Sequence, residues 1–313
     1  MSGEARTLAI IGGGTMGADI AASFAAYGWT AHVVEPQQGV RDSLPQRAAA
    51  AMKALGASYD AASFPVHPAL ADVPWPEVEL VIEAVPEKLE LKRAVFAELE
   101  QRAGADVPLC SNSSAIPIGR IGEGLATQHR MVGTHYFMPG HLVPAVEVVR
   151  SRHTGQRYAD RVADLLKSVG KVPVRVSLDI PGFVANRMQA ALSREAIDLV
   201  ARGIATPEDI DNAVRYGFGF RYIAAGPLLM RDHSGIDVHS AAAATIYPDL
   251  CNSATPSPYM TDKVAAGHIG MKAKHGFYEW TDETIAREKA RFETALRGAM
   301  EILRRERGDG SER

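Results

Sequence analysis

The sequence predicts an α/β fold, with a doubly wound parallel sheet in its N-terminal part and an all-α domain in its C-terminal part. Three observations predict it. Apolar strand patterns alternate with helical patterns through the first half of the chain. A glycine-rich turn joins the first strand to the first helix, and strand patterns stop after Asp179-Ile-Pro-Gly.

Leu8–Ile11 reads as the first strand, followed by Gly12-Gly-Gly-Thr-Met-Gly17 and a helix over about residues 15–27 with Ile20, Ala21, Phe24 and Ala25 on its apolar face. His32–Val34 is a second strand that ends in Glu35. Leu80–Ile82, Val107–Cys110 and Met131–Thr134 read as short buried strands, and Leu89, Leu91, Val95, Phe96 and Leu99 give Lys88–Ala103 a helical spacing. Ala145–Val149 and Val172–Val176 flank a helix over Gln156–Val169 that Gly170 caps. Beyond residue 180, Phe183–Arg202 is a long helix, and Thr206-Pro-Glu-Asp starts another. The domain boundary falls near residue 180, giving a nucleotide-binding domain over 1–179 and a helical domain for substrate and dimerisation over 180–313. Ile285, Phe292, Leu296, Met300 and Leu303 line one face of a last helix, read as docked on its own domain, with a dimer contact as the alternative.

A chain of 313 residues with 46% hydrophobic content can bury the cores of two domains. A net charge of −3 gives no footprint for nucleic acid or an anionic membrane. Cys110 and Cys251 cannot form a disulfide framework, the N-terminus lacks a signal-peptide pattern, and no apolar run approaches membrane-spanning length. These features predict a cytoplasmic protein with neither a nucleic-acid nor a membrane partner.

The glycine turn carries the first functional expectation. Gly12 turns the backbone sharply, Gly14 lets it approach a pyrophosphate, and Gly17 lets the helix pack close to the sheet, so that the N–H groups around Thr15 and Met16 face the phosphates. Glu35 follows Gly17 by 18 residues, suited to accept from the adenosine ribose hydroxyls and to repel a 2′-phosphate. The first arginine after it is Arg41. This is a Rossmann-type dinucleotide site that favours NAD over NADP.

Hydride exchange with nicotinamide needs a group that takes or supplies the hydroxyl proton, and a histidine held by a carboxylate suits that task. His135 stands at the C-terminal end of a strand, where open α/β sheets bind ligands. Glu147 follows 12 residues later in a strand that can return beside it, and Ser114 lies in the polar loop Ser111-Asn-Ser-Ser. His129 and His141 belong to no metal-ligand pattern and read as loop residues, so no metal is expected.

These residues resemble the L-3-hydroxyacyl-CoA dehydrogenase family, in particular its λ-crystallin (L-gulonate 3-dehydrogenase), carnitine dehydrogenase-like branch, from about residue 6 to Trp280. The resemblance implies the following roles. Val81-Ile-Glu-Ala-Val-Pro-Glu-Lys-Leu-Glu-Leu-Lys brings Val85 to the cofactor, with Glu87 and Lys92 by the nicotinamide ribose. Asn112 and Ser114 contact cofactor and substrate, and Gly133-Thr-His-Tyr-Phe carries the catalytic His135 paired with Glu147. Pro181-Gly-Phe-Val-Ala-Asn-Arg supplies an active-site asparagine, Asn186, and Gly270-Met-Lys-Ala-Lys-His-Gly-Phe-Tyr returns to the cofactor through Lys272. His135 then acts as base in alcohol oxidation and as acid in ketone reduction, Glu147 orients it, and Ser114 and Asn186 hold the substrate oxygen. A homodimer formed by the helical domain is implied as well.

Two departures bear on the substrate. The family's His-Phe-Phe-Asn-Pro reads His135-Tyr-Phe-Met-Pro139 here, so a thioether that cannot donate a hydrogen bond, Met138, stands where an asparagine would meet the substrate. Between Glu35 and Glu83 the lysine-rich excursion of CoA-using members is replaced by a short segment with one lysine, Lys53, besides Arg41 and Arg47. Gly217-Phe-Gly-Phe-Arg-Tyr resembles a segment of the small-hydroxy-acid branch, in which Arg221 could clamp a carboxylate or, alternatively, pair with Asp232 or a partner subunit. The expectation is a small-molecule substrate, a carboxylated secondary alcohol. The alternatives are a short-chain L-3-hydroxyacyl-CoA, a catalytically silent crystallin-like NAD binder, or a 6-phosphogluconate-type enzyme using a lysine of its second domain.

Overall fold

Strand β1, Thr7–Ile11, is buried at every position, as a strand covered on both faces must be. A computed structural model describes residues 6–308 of the chain. Alternate residues of β1 enter different layers. Leu8 and Ile10 pack with Ile20 and Phe24 of helix α1, Thr15–Ala25, while Ala9 and Ile11 face the opposite layer. Strand β2, Thr30–Val34, leads through helix α2, Gln38–Ala54, to a two-residue edge strand β3, Val66–His67. Strand β4, Val78–Glu83, and helix α3, Leu89–Arg102, follow; Phe96 and Leu99 of α3 fill the layer that Ala9 and Ile11 enter. Strand β5, Leu109–Ser111, helix α4, Ile118–Ile121, strand β6, Met131–Tyr136, strand β7, Ala145–Val149, helix α5, Gln156–Ser168, and strand β8, Val172–Val176, complete the sheet.

The strand order is β3-β2-β1-β4-β5-β6-β7-β8. From β1 the chain first builds outward to β2 and β3, then crosses back to β4, so the order reverses between β1 and β4. That reversal opens a crevice at the carboxyl ends of the strands, the place where such sheets bind ligands. Every pairing is parallel except β6 with β7, which is antiparallel. Residues 137–144 are too few to make a parallel crossover, so β7 returns directly beside β6. The antiparallel register sets His135 directly opposite Glu147.

The chain divides into two compact units, Met1–Arg187 and Met188–Arg313, later than the break expected near residue 180. The stretch after Pro181 stays with the first unit because Val184 and Ala185 donate their N–H groups to Glu147. The second unit holds most of helix α6, Ala185–Ala201, then α7, Pro207–Asn212, α8, Pro227–Ser234, α9, Ile236–Ile246, α10, Pro258–Ala265, and α11, Asp282–Gly308. Thr206 caps α7 by accepting from the Asp209 N–H, as its sequence predicts. Among its described side chains, only Ala225 and Gly276 are buried. The stripe on α11 is covered in part: Ile285, Leu296, Met300 and Leu303 are half-buried, while Phe292 is 49% exposed. No described helix is long and apolar enough to cross a membrane.

Helix α1 approaches β1 so closely that a Cβ on Gly17 would lie 1.9 Å from the carbonyl oxygen of Gly12. We expect Gly17→Ala to destabilise the chain by about 1–3 kcal/mol, seen as a lower urea midpoint, and to abolish NADH binding in a fluorescence titration.

Candidate active site

The crevice at the β1/β4 reversal contains a cavity of about 760 Å³, lined by Gly12, Gly14, Thr15, Met16, Glu35 and Val85 among others. Gly12 has φ +106°, a left-handed turn that an L side chain would strain, and nothing lies within 4 Å of where a Cβ on Gly14 would be. The first turn of α1 has no side-chain cap, leaving its N–H groups and the positive end of the helix dipole directed at whatever enters. A bare helix N-terminus beside a glycine turn fits a pyrophosphate. The Glu35 carboxylate accepts from Gly13 N–H at 3.0 Å and Gln37 N–H at 2.9 Å, which fixes it at the cavity wall with lone pairs left for a ribose diol.

Past the ends of β4 and β5 lies a buried polar cluster. The Glu83 carboxylate accepts from Lys92 Nζ at 2.8 and 3.0 Å, from the Ser111 hydroxyl at 2.6 Å and from Val85 N–H at 2.6 Å. Lys92 also donates to the Val85 carbonyl and contacts Glu87 Oε2 at 3.3 Å. The Lys92 side chain is only 1% exposed, and its ammonium braces residues 83–87, the stretch that leaves β4. Glu87 Oε1 accepts from the Ser113 hydroxyl and from the N–H groups of Ser114, Ala115 and Ile116. Burial would raise this carboxyl's pKa, but those donors and Lys92 outweigh it and hold the group below the ordinary glutamate range. Glu87 thus shapes the loop that presents Ser114.

His135 Nδ1 lies 2.7 Å from Glu147 Oε2, both side chains nearly sealed from solvent. A carboxylate at that distance puts the imidazole proton on Nδ1 and leaves Nε2 with a free lone pair. Glu147 Oε1 accepts from the N–H groups of Val184 and Ala185, each at 2.9 Å, at the start of α6. One carboxylate therefore orients the imidazole and ties down a helix N-terminus. Burial would raise the pKa of Glu147, yet the His135 hydrogen bond and the two N–H donors together keep it below its ordinary value. The imidazole ring is flanked by Phe137, edge-on at 4.7 Å between centroids, and by Phe183 at 5.7 Å. Phe183 has φ +48°, a conformation that costs a non-glycine residue about 1–2 kcal/mol, and its ring is fully buried against the histidine. Asn186 donates to the Ser114 carbonyl at 3.1 Å, and Asn112 accepts from Tyr136 N–H at 3.0 Å.

The first unit thus brings together His135, Glu147, Ser114, Asn112 and Asn186, with Met138 exposed in the loop beyond β6. Gly17 supports the turn from behind. Lys272 and Arg221 belong to the second unit, where both are exposed. Arg221 stands on a short 3₁₀ turn, Phe220–Ile223, after an irregular π-type turn over Ala213–Phe218. The described ion pairs include none between Arg221 and Asp232. No group of three or more histidine, cysteine or acidic side chains suited to a metal occurs among the described residues. Sequence reasoning missed Glu83, a carboxylate inside an apolar strand, and Phe183, whose backbone strain has no sequence signature.

Residues 7–180 match the model of the 3-hydroxyacyl-CoA dehydrogenase NAD binding domain, and residues 182–280 match that of the 3-hydroxyacyl-CoA dehydrogenase C-terminal domain. The chain is 34% identical over 304 residues to a 5-formyl-3-hydroxy-2-methylpyridine 4-carboxylate 5-dehydrogenase of Mesorhizobium japonicum, covering 95% of this chain and 98% of that one. It is 33% identical over 296 residues to the mitochondrial hydroxyacyl-coenzyme A dehydrogenase of Rattus norvegicus, covering 87% and 90% of the two chains. Among solved structures, that of a 5-formyl-3-hydroxy-2-methylpyridine 4-carboxylic acid 5-dehydrogenase, described as an NAD+ dependent dismutase, superposes with a TM-score of 0.88. It is 32% identical, with 96% of this chain and 99% of that chain covered.

Replacing Glu147 by glutamine keeps an oxygen for the two helix N–H groups but turns an amide N–H toward Nδ1. The imidazole proton is then forced onto Nε2, where a free lone pair is needed. We expect Glu147→Gln to lower kcat by about 10²–10⁴-fold while NADH affinity, measured by fluorescence, stays near wild type.

Proposed function

The chain belongs to the 3-hydroxyacyl-CoA dehydrogenase family, and from that premise we propose that its substrate is a small carboxylated alcohol or the matching carbonyl compound, worked on by His135. The protein is an NAD-dependent oxidoreductase acting on CH–OH groups of a small molecule. The residues lining the β1/β4 cavity fit NAD, with Gly12, Gly14, Thr15 and Met16 around the pyrophosphate and Glu35 at the adenosine ribose. Bound there, the nicotinamide supplies the hydride acceptor for oxidation and the donor for reduction.

The observation that carries the catalytic assignment is the 2.7 Å contact between His135 and Glu147, set by the register of β6 against β7. In oxidation, Nε2 takes the hydroxyl proton, and the Glu147 carboxylate stabilises the imidazolium that results. In reduction the same proton returns to the carbonyl oxygen. Ser114 and Asn186, joined by their hydrogen bond, are the groups we assign to hold that oxygen. Phe137 and Phe183 limit rotation of the ring. The joint presence of His135, Glu147 and Asn186 speaks against a silent NAD-binding protein and against a catalytic lysine in the second unit.

A small free acid, rather than a CoA thioester, is favoured by the fate of the cations between Glu35 and Glu83. Arg41 donates to the carbonyls of Glu35 and Pro36, and Arg47 donates to those of Gly13 and Val40. Both guanidinium groups are engaged on backbone oxygen, which leaves Lys53 as the one flexible cation to meet CoA phosphates. The pyridine carboxylate named for the bacterial relative fits the same reading. Arg221, exposed and unpaired with Asp232, is the carboxylate clamp we assign in the second unit.

We also infer a homodimer. The second unit has almost no core of its own, yet it exposes Leu228 by 81%, Tyr216 by 72%, Tyr247 by 70% and Phe220 by 67%. A helical unit that leaves so much apolar surface in water gains stability by covering it, and a second copy presents a matching surface. The unpaired cysteines, Cys110 and Cys251, fit a cytoplasmic location.

In a screen followed by NADH absorbance, we expect carboxylated hydroxy acids and carboxylated aldehydes or alcohols to exceed 3-hydroxyacyl-CoA thioesters in kcat/KM by about tenfold or more; the reverse order restores the CoA reading. Arg221→Met should raise KM for the preferred acid at least about tenfold, or about 1.4 kcal/mol, with kcat changed less. Sedimentation equilibrium at micromolar concentration should return twice the chain mass, and a monomer would remove the dimer.

A further inference from the structure

A second histidine–carboxylate pair lies outside the catalytic dyad. His141 Nδ1 stands 2.9 Å from Asp19 Oδ1, and both side chains are largely buried. Asp19 belongs to α1, the helix whose first residues, Thr15 and Met16, line the nucleotide cavity. His141 belongs to the loop that follows β6. The other oxygen of Asp19 accepts the Gly140 N–H at 2.8 Å, and this hydrogen bond ties the loop to α1; His141 Nδ1 stands beside the carboxylate without hydrogen-bonding to it.

The same loop is held from its other side. Lys171 Nζ is buried and donates to the carbonyls of Gly140 at 2.7 Å, Val143 at 3.0 Å and His141 at 3.4 Å. The fit to α1 leaves no slack: a Cβ on Gly140 would lie 3.0 Å from Met16 Cε and 3.1 Å from Asp19 Cβ. A buried carboxylate on one side and a buried ammonium on the other, each satisfied by loop groups, mark a segment whose conformation is imposed from outside.

The residues immediately before the held segment face the chemistry. Phe137 lies edge-on to the His135 ring, and Met138 is 67% exposed where a substrate-contacting group is expected. We propose that Asp19 is a positioning residue: through the Gly140 N–H it latches the loop after β6 onto the cofactor-binding helix, and so keeps Phe137 against the catalytic imidazole. Thr15 and Met16 at the cavity and Phe137 at the imidazole are then set by one rigid connection rather than independently. This inference rests on His135 being the proton-transfer group.

The test compares four enzymes with the preferred acid as substrate: wild type, Asp19→Ala, Asp19→Asn and His135→Asn. Loss of the latch should lower kcat of Asp19→Ala by about tenfold, since small misplacements at a reacting group cost that much or more, while NADH affinity stays within about twofold. Asparagine retains an oxygen for the Gly140 N–H, so Asp19→Asn should recover to within about threefold of wild type. Thermal unfolding read in parallel separates positioning from stability. A kcat deficit in Asp19→Ala that persists well below its unfolding transition supports the latch. Unchanged kcat in Asp19→Ala, or a loss confined to NADH affinity, overturns it, and so does an Asp19→Asn enzyme as impaired as the alanine variant. Should Asp19→Ala fail to fold, Gly140→Ala, which wedges the loop off α1, must reproduce the kcat loss, and normal kcat there overturns the proposal. Full turnover by His135→Asn overturns the catalytic reading itself, an outcome distinct from a dead His135→Asn alongside a normal Asp19→Ala.

Discussion

A carboxylate that must stay charged inside the protein organises the catalytic part of this chain. Glu147 lies on β7, one strand in from the edge of the sheet, with almost no solvent access, where burial alone would favour its neutral form. Its charge is kept by an imidazole N–H on one oxygen and two N–H groups from the start of α6 on the other. Removing any of these partners leaves the buried charge under-satisfied, so strand register, histidine tautomer and helix start depend on one another. The antiparallel turn from β6 to β7 makes the arrangement possible. A parallel crossover would have separated the two residues by a helix, and only a direct return sets them face to face.

The cofactor side rests on a different device. At the glycine-turn end of the cavity the uncapped peptide groups of α1 point inward, and the nearby Arg47 guanidinium is spent on the Gly13 carbonyl. A side-chain charge stands further along the cavity wall, at Glu35, held in place by the Gly13 and Gln37 N–H groups. Buried polar side chains fill the space between the two devices. Glu83, Lys92, Ser111 and Glu87 join the ends of β4 and β5 and the loop at Ser114, so the surroundings of the reacting atoms are held by paired charges.

Much of this was legible in the sequence. The glycine turn, Glu35, His135 and Glu147 carry signals that depend only on local pattern and short spacing, and the strands that hold them are apolar runs with clear ends. Residues whose meaning depends on distant partners were not legible. Lys92 occupies a helix position that periodicity assigns to no role, and only the fold reveals Glu83 beneath it. Asp19 and His141 lie far apart in the chain, and His141 read as a loop residue. Edge strand β3 is two residues long, below what alternation can signal. On α11 the apolar stripe was visible, but no periodicity states what surface will cover it.

The two units differ in how they obtain their stability, and the difference bears on what each can evolve. In the first unit the sheet is covered on both sides, and the His135–Glu147 pair is sealed within it. A change of side chain there is felt as a packing defect, since close-packed interiors relax poorly. In the second unit the helices expose large apolar side chains, and Arg221 stands exposed on a short 3₁₀ turn. Substitutions at such positions alter surface chemistry at little cost to the fold. A chain built this way holds the interior of its first unit fixed while exposed positions of the second, Arg221 among them, can change at little cost. Met138 follows the same rule inside the first unit: 67% exposed in the loop after β6, it can replace an asparagine beside a His135–Glu147 pair that is sealed from solvent.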